Sequence, residues 1–304
     1  MPSFIESAIV YTTKPLRGSF SHASLLLLPS SLKDGSPRPY PMRMQFCIES
    51  DEPYYRFSSN NSDLLSKKII EYQYLLSLFS QFHFFDFRTR SKPLKKFSKN
   101  NFEPIKRGKI NWYQDKSLDD RNVDAIVFPE NIELLFDSYS NIRDNVKTSF
   151  RKALYLFNTA INLKSTYPSS SFICMVSAVE TLCQIEFKIE NDLIEECGSC
   201  HSLKSSPWTC DTCSAPLWGI SKKYKLFFAK YCFGNEPTDL DNRFLNKVYS
   251  TRSKIVHTGN VLTVDDFWGD ERINWDQSFL HKDILKFTRI SLNNWLIYNT
   301  ATNS

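Results

Sequence analysis

Residues 171–188 constrain the fold more than any other stretch of the chain. Phe172, Ile173, Met175, Val176, Val179, Leu182, Ile185 and Phe187 leave almost no polar face at a repeat of 3.6 residues. A helix that is apolar all round has to sit inside other helices. The neighbouring sequence supplies them. Residues 144–163 place Val146, Phe150, Leu154, Phe157 and Ile161 at helical spacing. Further helical patterns cover residues 221–232, 239–257 and 281–298, and Pro129-Glu130-Asn131 opens another that carries Ile132, Leu134, Leu135 and Tyr139. The second half of the chain is therefore expected to be an all-α bundle.

The first half has a different texture. Residues 7–13, 44–57, 82–87 and 123–128 are apolar or loosely alternating, as strands are. Between them, Ser62 is a candidate N-cap for a helix over 63–80, with Leu64, Leu65, Ile69, Tyr72, Leu75, Leu76 and Phe79 on one face. Residues 29–42 hold four prolines and read as a loop. With 304 residues, the chain divides on this reading into an α+β N-terminal domain over 1–130, with no motif that points to chemistry, and a helical domain over 131–304.

Composition removes several function classes. Only 8 glycines are present, and neither G-x-x-x-x-G-K nor G-x-G-x-x-G occurs, which argues against a glycine-rich nucleotide loop. No apolar run approaches the ~18 residues of a membrane span. The N-terminal residues do not resemble a signal peptide, and a cytoplasmic protein that does not engage a membrane is expected. The net charge of +5 is unevenly spread. Residues 88–109 carry nine basic side chains and Glu103 as the one acid, a local charge of +8. Phe97, Phe102, Trp112 and Tyr113 lie in or beside that segment. Basic plus aromatic suits single-stranded nucleic acid; a solvated loop is the plainer alternative.

Four of the 8 cysteines form two tight pairs, Cys197/Cys200 and Cys210/Cys213, with nine residues between the pairs. Each pair presents two thiolates from one turn, and two such knuckles complete a tetrahedral Zn²⁺ site. With four protein ligands the metal keeps no open position, so it is structural, pinning an insertion at 195–216. His201 is next to Cys200 and reads as a bystander. Cys174 and Cys183 lie in the apolar helix and read as core.

The helix over 239–257 carries the sharpest anomaly. Counting 100° per residue, Phe244, Leu245, Val248, Tyr249, Ile255 and Val256 fall on an arc about 140° wide, and Arg252 falls near its middle. A guanidinium on a buried face must be paired or must line a cleft. His257, suited to proton transfer near neutral pH, follows at the helix exit before Thr258-Gly259. The spacing alone is weak, since Arg17 and His22 repeat it in a Gly/Ser stretch without helical period. In a purely structural reading Arg252 pairs with a buried acid such as Glu180, and His257 caps the helix.

Arg252-Ser253-Lys254-Ile255-Val256-His257 resembles the R-x4–6-H motif of the HEPN superfamily, most closely its Apea-like branch. Ser177-Ala178-Val179-Glu180-Thr181-Leu182 looks like that branch's A-hydrophobic-E-x-L helix, and Ala153-Leu154-Tyr155-Leu156-Phe157 resembles its first bundle helix. Ser253 stands where many nuclease members have Asn, Asp or His, and Thr258 where Gly is common. The resemblance covers residues 145–300. It implies a HEPN-like bundle with a zinc-binding insertion, and a metal-independent endoribonuclease acting on RNA as a homodimer or higher homo-oligomer. Catalysis would fall to His257 as general acid or base and to Arg252 as stabiliser of the phosphate transition state. Lys254 and Tyr249 would contact substrate. It further implies a prokaryotic antiphage defence or toxin effector, of the abortive-infection kind, answering to a phage-derived trigger. A non-catalytic helical module that binds RNA or a protein partner is the alternative.

Overall fold

The computed structural model describes residues 3–30, 40–49, 62–80, 82–89, 103–105, 107–108, 125–187, 197, 200–202, 210–214, 220–259, 261–262 and 275–301. They form two compact units, 1–140 and 141–304.

The first unit is a small antiparallel sheet with helices. Strands β1 (Ser3–Thr12), β2 (Phe20–His22), β3 (Leu25–Pro29), β4 (Tyr40–Glu49) and β5 (Phe84–Thr89) align in the order β2-β3-β4-β1-β5. Register puts Ala8 opposite Met44, Val10 opposite Met42 and Leu25 opposite Phe46. All six are buried, so one face of the pleat is apolar. Helix α1 (Ser62–Phe79) covers it, with the Tyr72 ring 5.1 Å from that of Phe46. A two-residue parallel pair, β6 (Arg107–Gly108) and β7 (Phe128–Pro129), completes the unit. Gly18, at φ 92°, lets the chain pass Glu103, whose carbonyl oxygen would lie 2.7 Å from any Cβ there.

Helix α2 (Ile132–Asn141) was expected to open the helical domain. It belongs instead to the first unit. Phe136 packs against Phe20, Tyr72 and Phe79, Tyr139 donates to Glu71, and Asp137 meets His22 at 3.2 Å. The division therefore falls after Ser140 rather than at residue 131. Propensity marks where a helix starts but says nothing about which core receives its apolar face. Of the strand expected over 123–128, residues 123–124 lie outside the described residues, 125–127 are not strand, and Phe128 pairs together with Pro129. The helix expected from 63 already includes Ser62. Residues 50–57 and most of the basic segment 88–109, with Trp112 and Tyr113, lie outside the described residues.

The second unit is helical: α3 (Asp144–Leu163), α4 (Pro168–Glu186), α5 (Ile220–Tyr231), α6 (Asp239–Thr258) and α7 (Trp275–Ala301). Helix α4 contacts the other four. Phe172, Met175, Val176, Ala178, Val179, Leu182 and Cys183 are buried on it, as an all-apolar helix requires. Pro168 in its first turn is pre-set for helix and loses no hydrogen bond. Phe150 of α3 stacks on Trp295 of α7 at 5.7 Å. Helix α6 starts with a capping box: the Asp241 backbone N–H donates to Thr238 Oγ1 at 3.3 Å, and the Thr238 N–H donates back to the Asp241 carboxylate at 2.8 Å. It stops at Gly259, which is left-handed at φ 68°. Beyond the stop, the Leu262 N–H donates to Ser169 Oγ at 2.7 Å and anchors the exit chain to the first turn of α4.

Candidate functional site

The knuckles form as their spacing requires. In the first, the His201 N–H donates to the Cys197 carbonyl at 2.8 Å and His201 turns left-handed at φ 58°. The second repeats this: the Ser214 N–H donates to the Cys210 carbonyl at 2.7 Å and Ser214 sits at φ 57°. The four sulfurs lie within 4.8 Å of one another, without His201. Cys197 and Cys213 are 3.7 Å apart and Cys200 and Cys210 3.5 Å. Four Zn–S bonds of about 2.3 Å in a tetrahedron would set the sulfurs about 3.8 Å apart, so the cluster has the size of a zinc site.

Ser202, which the cysteine pattern does not flag, joins the two knuckles. Its hydroxyl lies 3.1 Å from Cys200 Sγ and 3.0 Å from Cys210 Sγ, and its carbonyl accepts from the Cys197 N–H at 2.9 Å. That hydroxyl, with the Cys213 N–H next, pulls the Cys210 thiol down to about 5 and lowers Cys200 as well. Both shifts favour the thiolate, the form that binds metal. Cys183 is buried among apolar groups, which push its thiol up, as expected of a core residue. The side chain of Cys47 lies outside the described residues.

Arg252 and His257 stand on the last two turns of α6. Leu245 and Val248 are buried ahead of Arg252, so the anomaly seen in the apolar arc is real. The acid named by the structural reading is its partner: Arg252 Nη2 lies 3.4 Å from Glu180 Oε2 of α4. The two side chains are 22% and 13% exposed. Arg252 Nε and Glu180 Oε1 are buried and lack hydrogen bonds. The guanidinium sits 5.8 Å from the centre of the Tyr249 ring. Tyr249 is half-buried, 5.8 Å from the Tyr224 ring, so its contacts are interior. Burial, then the Glu180 carboxylate, pushes its phenol up, while Arg252 pulls the other way. Lys254 projects into solvent.

His257 is exposed. Five residues of unbroken helix turn it about 140° away from Arg252, so the two side chains leave α6 in different directions. Val256, just before His257, and Val261, four residues after it, are each 47% exposed. The spacing twin is absorbed locally: His22 belongs to β2 and pairs with Asp137.

A second histidine is buried. His281 Nε2 lies 3.0 Å from Ser171 Oγ, and that hydroxyl donates its proton to the Ala160 carbonyl at 2.7 Å. Nε2 must therefore carry the proton, and Ser171 is committed to packing rather than nucleophilic attack.

Among the described residues no helix is long and apolar enough to cross a membrane. Comparison with models of known protein families, with curated proteins and with solved structures finds no match.

Proposed function

We propose that the chain is a metal-independent, HEPN-type RNA endonuclease that works as a homodimer. The observation that carries this reading is the end of α6. A cation is held at the edge of the bundle, and an exposed imidazole follows, with an exposed valine before and after it in sequence. The two side chains of one copy diverge, and in this reading two copies supply the site together, with Val256 and Val261 as surface that a second copy would cover. In this reaction a ribose 2′-oxygen forms a bond to the adjacent phosphorus and the P–O5′ bond breaks. A neutral His257 takes the 2′-hydroxyl proton, and a protonated His257 of the second copy delivers one to the leaving 5′-oxygen. Arg252 neutralises the charge that gathers on the phosphate oxygens. The products carry a 2′,3′-cyclic phosphate and a 5′-hydroxyl. The proposed setting is prokaryotic antiphage defence, with the first unit as sensor.

Purified protein incubated with single-stranded RNA without added divalent cation should yield those ends, read by mass spectrometry. Arg252→Ala and His257→Ala should each lower the rate by about 100-fold or more, the usual scale of acid–base and phosphate-stabilising groups. Cleavage that survives both changes in folded protein ends the reading.

The four cysteines would hold one structural Zn²⁺, with every position filled by thiolate. One zinc per chain is expected from elemental analysis, and its loss from Cys210→Ser. The Arg252–Glu180 pair favours a second reading, a non-catalytic helical module in which Arg252 only packs and RNA or a protein binds elsewhere. The same two alanine variants separate the readings.

A further inference from the structure

The Arg252–Glu180 contact is unlike a structural ion pair. Nε and Nη2 share one edge of the guanidinium, and a carboxylate that meets that edge with both oxygens makes two short parallel bonds of about 2.8 Å. Here only Nη2 and Oε2 meet, at 3.4 Å. The other half of the fork, Nε and Oε1, is buried and unpaired. Each such atom gives up its hydration without a bond in return. Both side chains keep some exposure elsewhere, 22% and 13%, while Nε and Oε1 themselves are closed to solvent. Tyr249 offers its ring beneath the cation, an attraction that does not depend on Glu180. The guanidinium is thus held by one long contact to Glu180 and by the Tyr249 ring, whose phenol also bonds Glu180, and Nε on its phosphate-binding edge is uncommitted.

We propose that Glu180 is the positioning residue for Arg252: it retains the guanidinium at the bundle edge through one carboxylate oxygen, and an RNA phosphate competes with that oxygen for the same edge. The inference rests on the RNase reading for the identity of the anion. Phosphate offers the paired oxygens that the fork lacks. Glu180 therefore sets how readily Arg252 engages RNA without touching the reacting atoms.

Binding of a fluorescent 2′-O-methyl oligoribonucleotide, which lacks the attacking hydroxyl, tests this by anisotropy. Glu180→Gln should tighten binding by about threefold or more, the scale of one partly exposed ion pair. The gain should vanish in the Glu180→Gln/Arg252→Ala double variant. Unchanged or weaker binding by folded Glu180→Gln overturns the proposal. So does a gain that persists without Arg252, which would mark simple loss of a negative charge, and so does the absence of binding by wild type and variant alike. If Glu180→Gln does not fold, Glu180→Asp takes its place. One methylene shorter, it draws the carboxylate back and should give the same Arg252-dependent gain, and its failure to do so is equally decisive. Cleavage, assayed separately on unmodified RNA, keeps the two ideas apart. An Arg252-dependent gain without cleavage retains the positioning role and ends the RNase reading; His257-dependent cleavage without a gain does the reverse.

Discussion

Glu180 and Glu186 sit on the same helix, both largely buried, and their surroundings differ completely. Glu186 is the last residue of α4, where the helix dipole opposes a negative charge. Three donors answer it. Lys230 Nζ lies 2.7 Å and the Tyr231 hydroxyl 2.5 Å from Oε1, and Trp295 Nε1 lies 2.9 Å from Oε2. Lys230 is itself 4.6 Å above the Tyr298 ring, and Asn294 donates to the Tyr231 carbonyl at 2.9 Å. One carboxylate thus locks α4, α5 and α7 together with both oxygens used. Glu180 has a 3.4 Å contact with Arg252, the Tyr249 phenol as a further partner, and one unpaired oxygen. A polar network that only builds structure closes its bonds, because partial closure costs more than an apolar core. A network left open inside an otherwise well-packed bundle is where function is to be sought.

The comparison breaks first at Glu186. Glu186→Ala strands Lys230, Tyr231 and Trp295 together and should cost about 3–5 kcal/mol, the range for removing one member of a buried pair. Glu180→Ala loses one long contact to Arg252 and a bond from the Tyr249 phenol, and should cost less, about 1–2 kcal/mol. Urea unfolding of the two variants measures the difference, and equal losses would erase the distinction.

A smaller effect tests a single bond of the closed network. Tyr231→Phe removes one hydrogen bond to a charged acceptor and should cost about 1.5–3 kcal/mol. The ring contact with Tyr298, 5.7 Å between centroids, remains. A loss below about 0.5 kcal/mol would mean that the hydroxyl is as well served by water.

Much of this was legible in the sequence where one periodicity or one spacing decides the outcome. The apolar circumference of 171–188 required a central helix, and α4 is one. C-x2-C twice over required two knuckles, and the sulfurs meet. Gly259 stops α6 as placed. Pairing across the bundle was less legible. Glu180 was named as an acid for Arg252, but that the contact is half-made depends on interhelical distances that no sequence spacing encodes. Glu186, Lys230, Tyr231 and Trp295 are up to 109 residues apart and show no shared pattern. Ser202 had a weak signal, being two residues past Cys200. The capping box was readable as Thr238-Asp239-Leu240-Asp241, a threonine three residues ahead of an acid at a helix start. The allegiance of α2 was not readable, because its apolar face fits either core until Phe20, Tyr72 and Phe79 are seen around Phe136.

The smallest expected effect reverses sign and separates the two environments most cleanly. Tyr224 lies in the neighbourhood of Glu180, fully buried, with a hydroxyl that has no hydrogen bond. Burial and the nearby acidic groups raise its phenol well above the ordinary range. Tyr224→Phe removes an unanswered polar atom and should stabilise the protein by up to about 1 kcal/mol at neutral pH, whereas Tyr231→Phe destabilises it. The pH dependence follows from the direction of the shift. Tyr224, Tyr231 and Tyr249 all hold their protons more tightly folded than unfolded. Their neutral forms therefore contribute stability that is complete below the unfolded phenol value of about 10 and is lost as pH rises beyond it. Tyr224→Phe removes one such group, so its stability should fall less steeply above that pH than the wild type's. Thermal melts from neutral pH upward read both effects. A destabilised, equally alkali-sensitive Tyr224→Phe would mean that this hydroxyl is satisfied after all, and that the half-open character belongs to the Arg252–Glu180 pair alone.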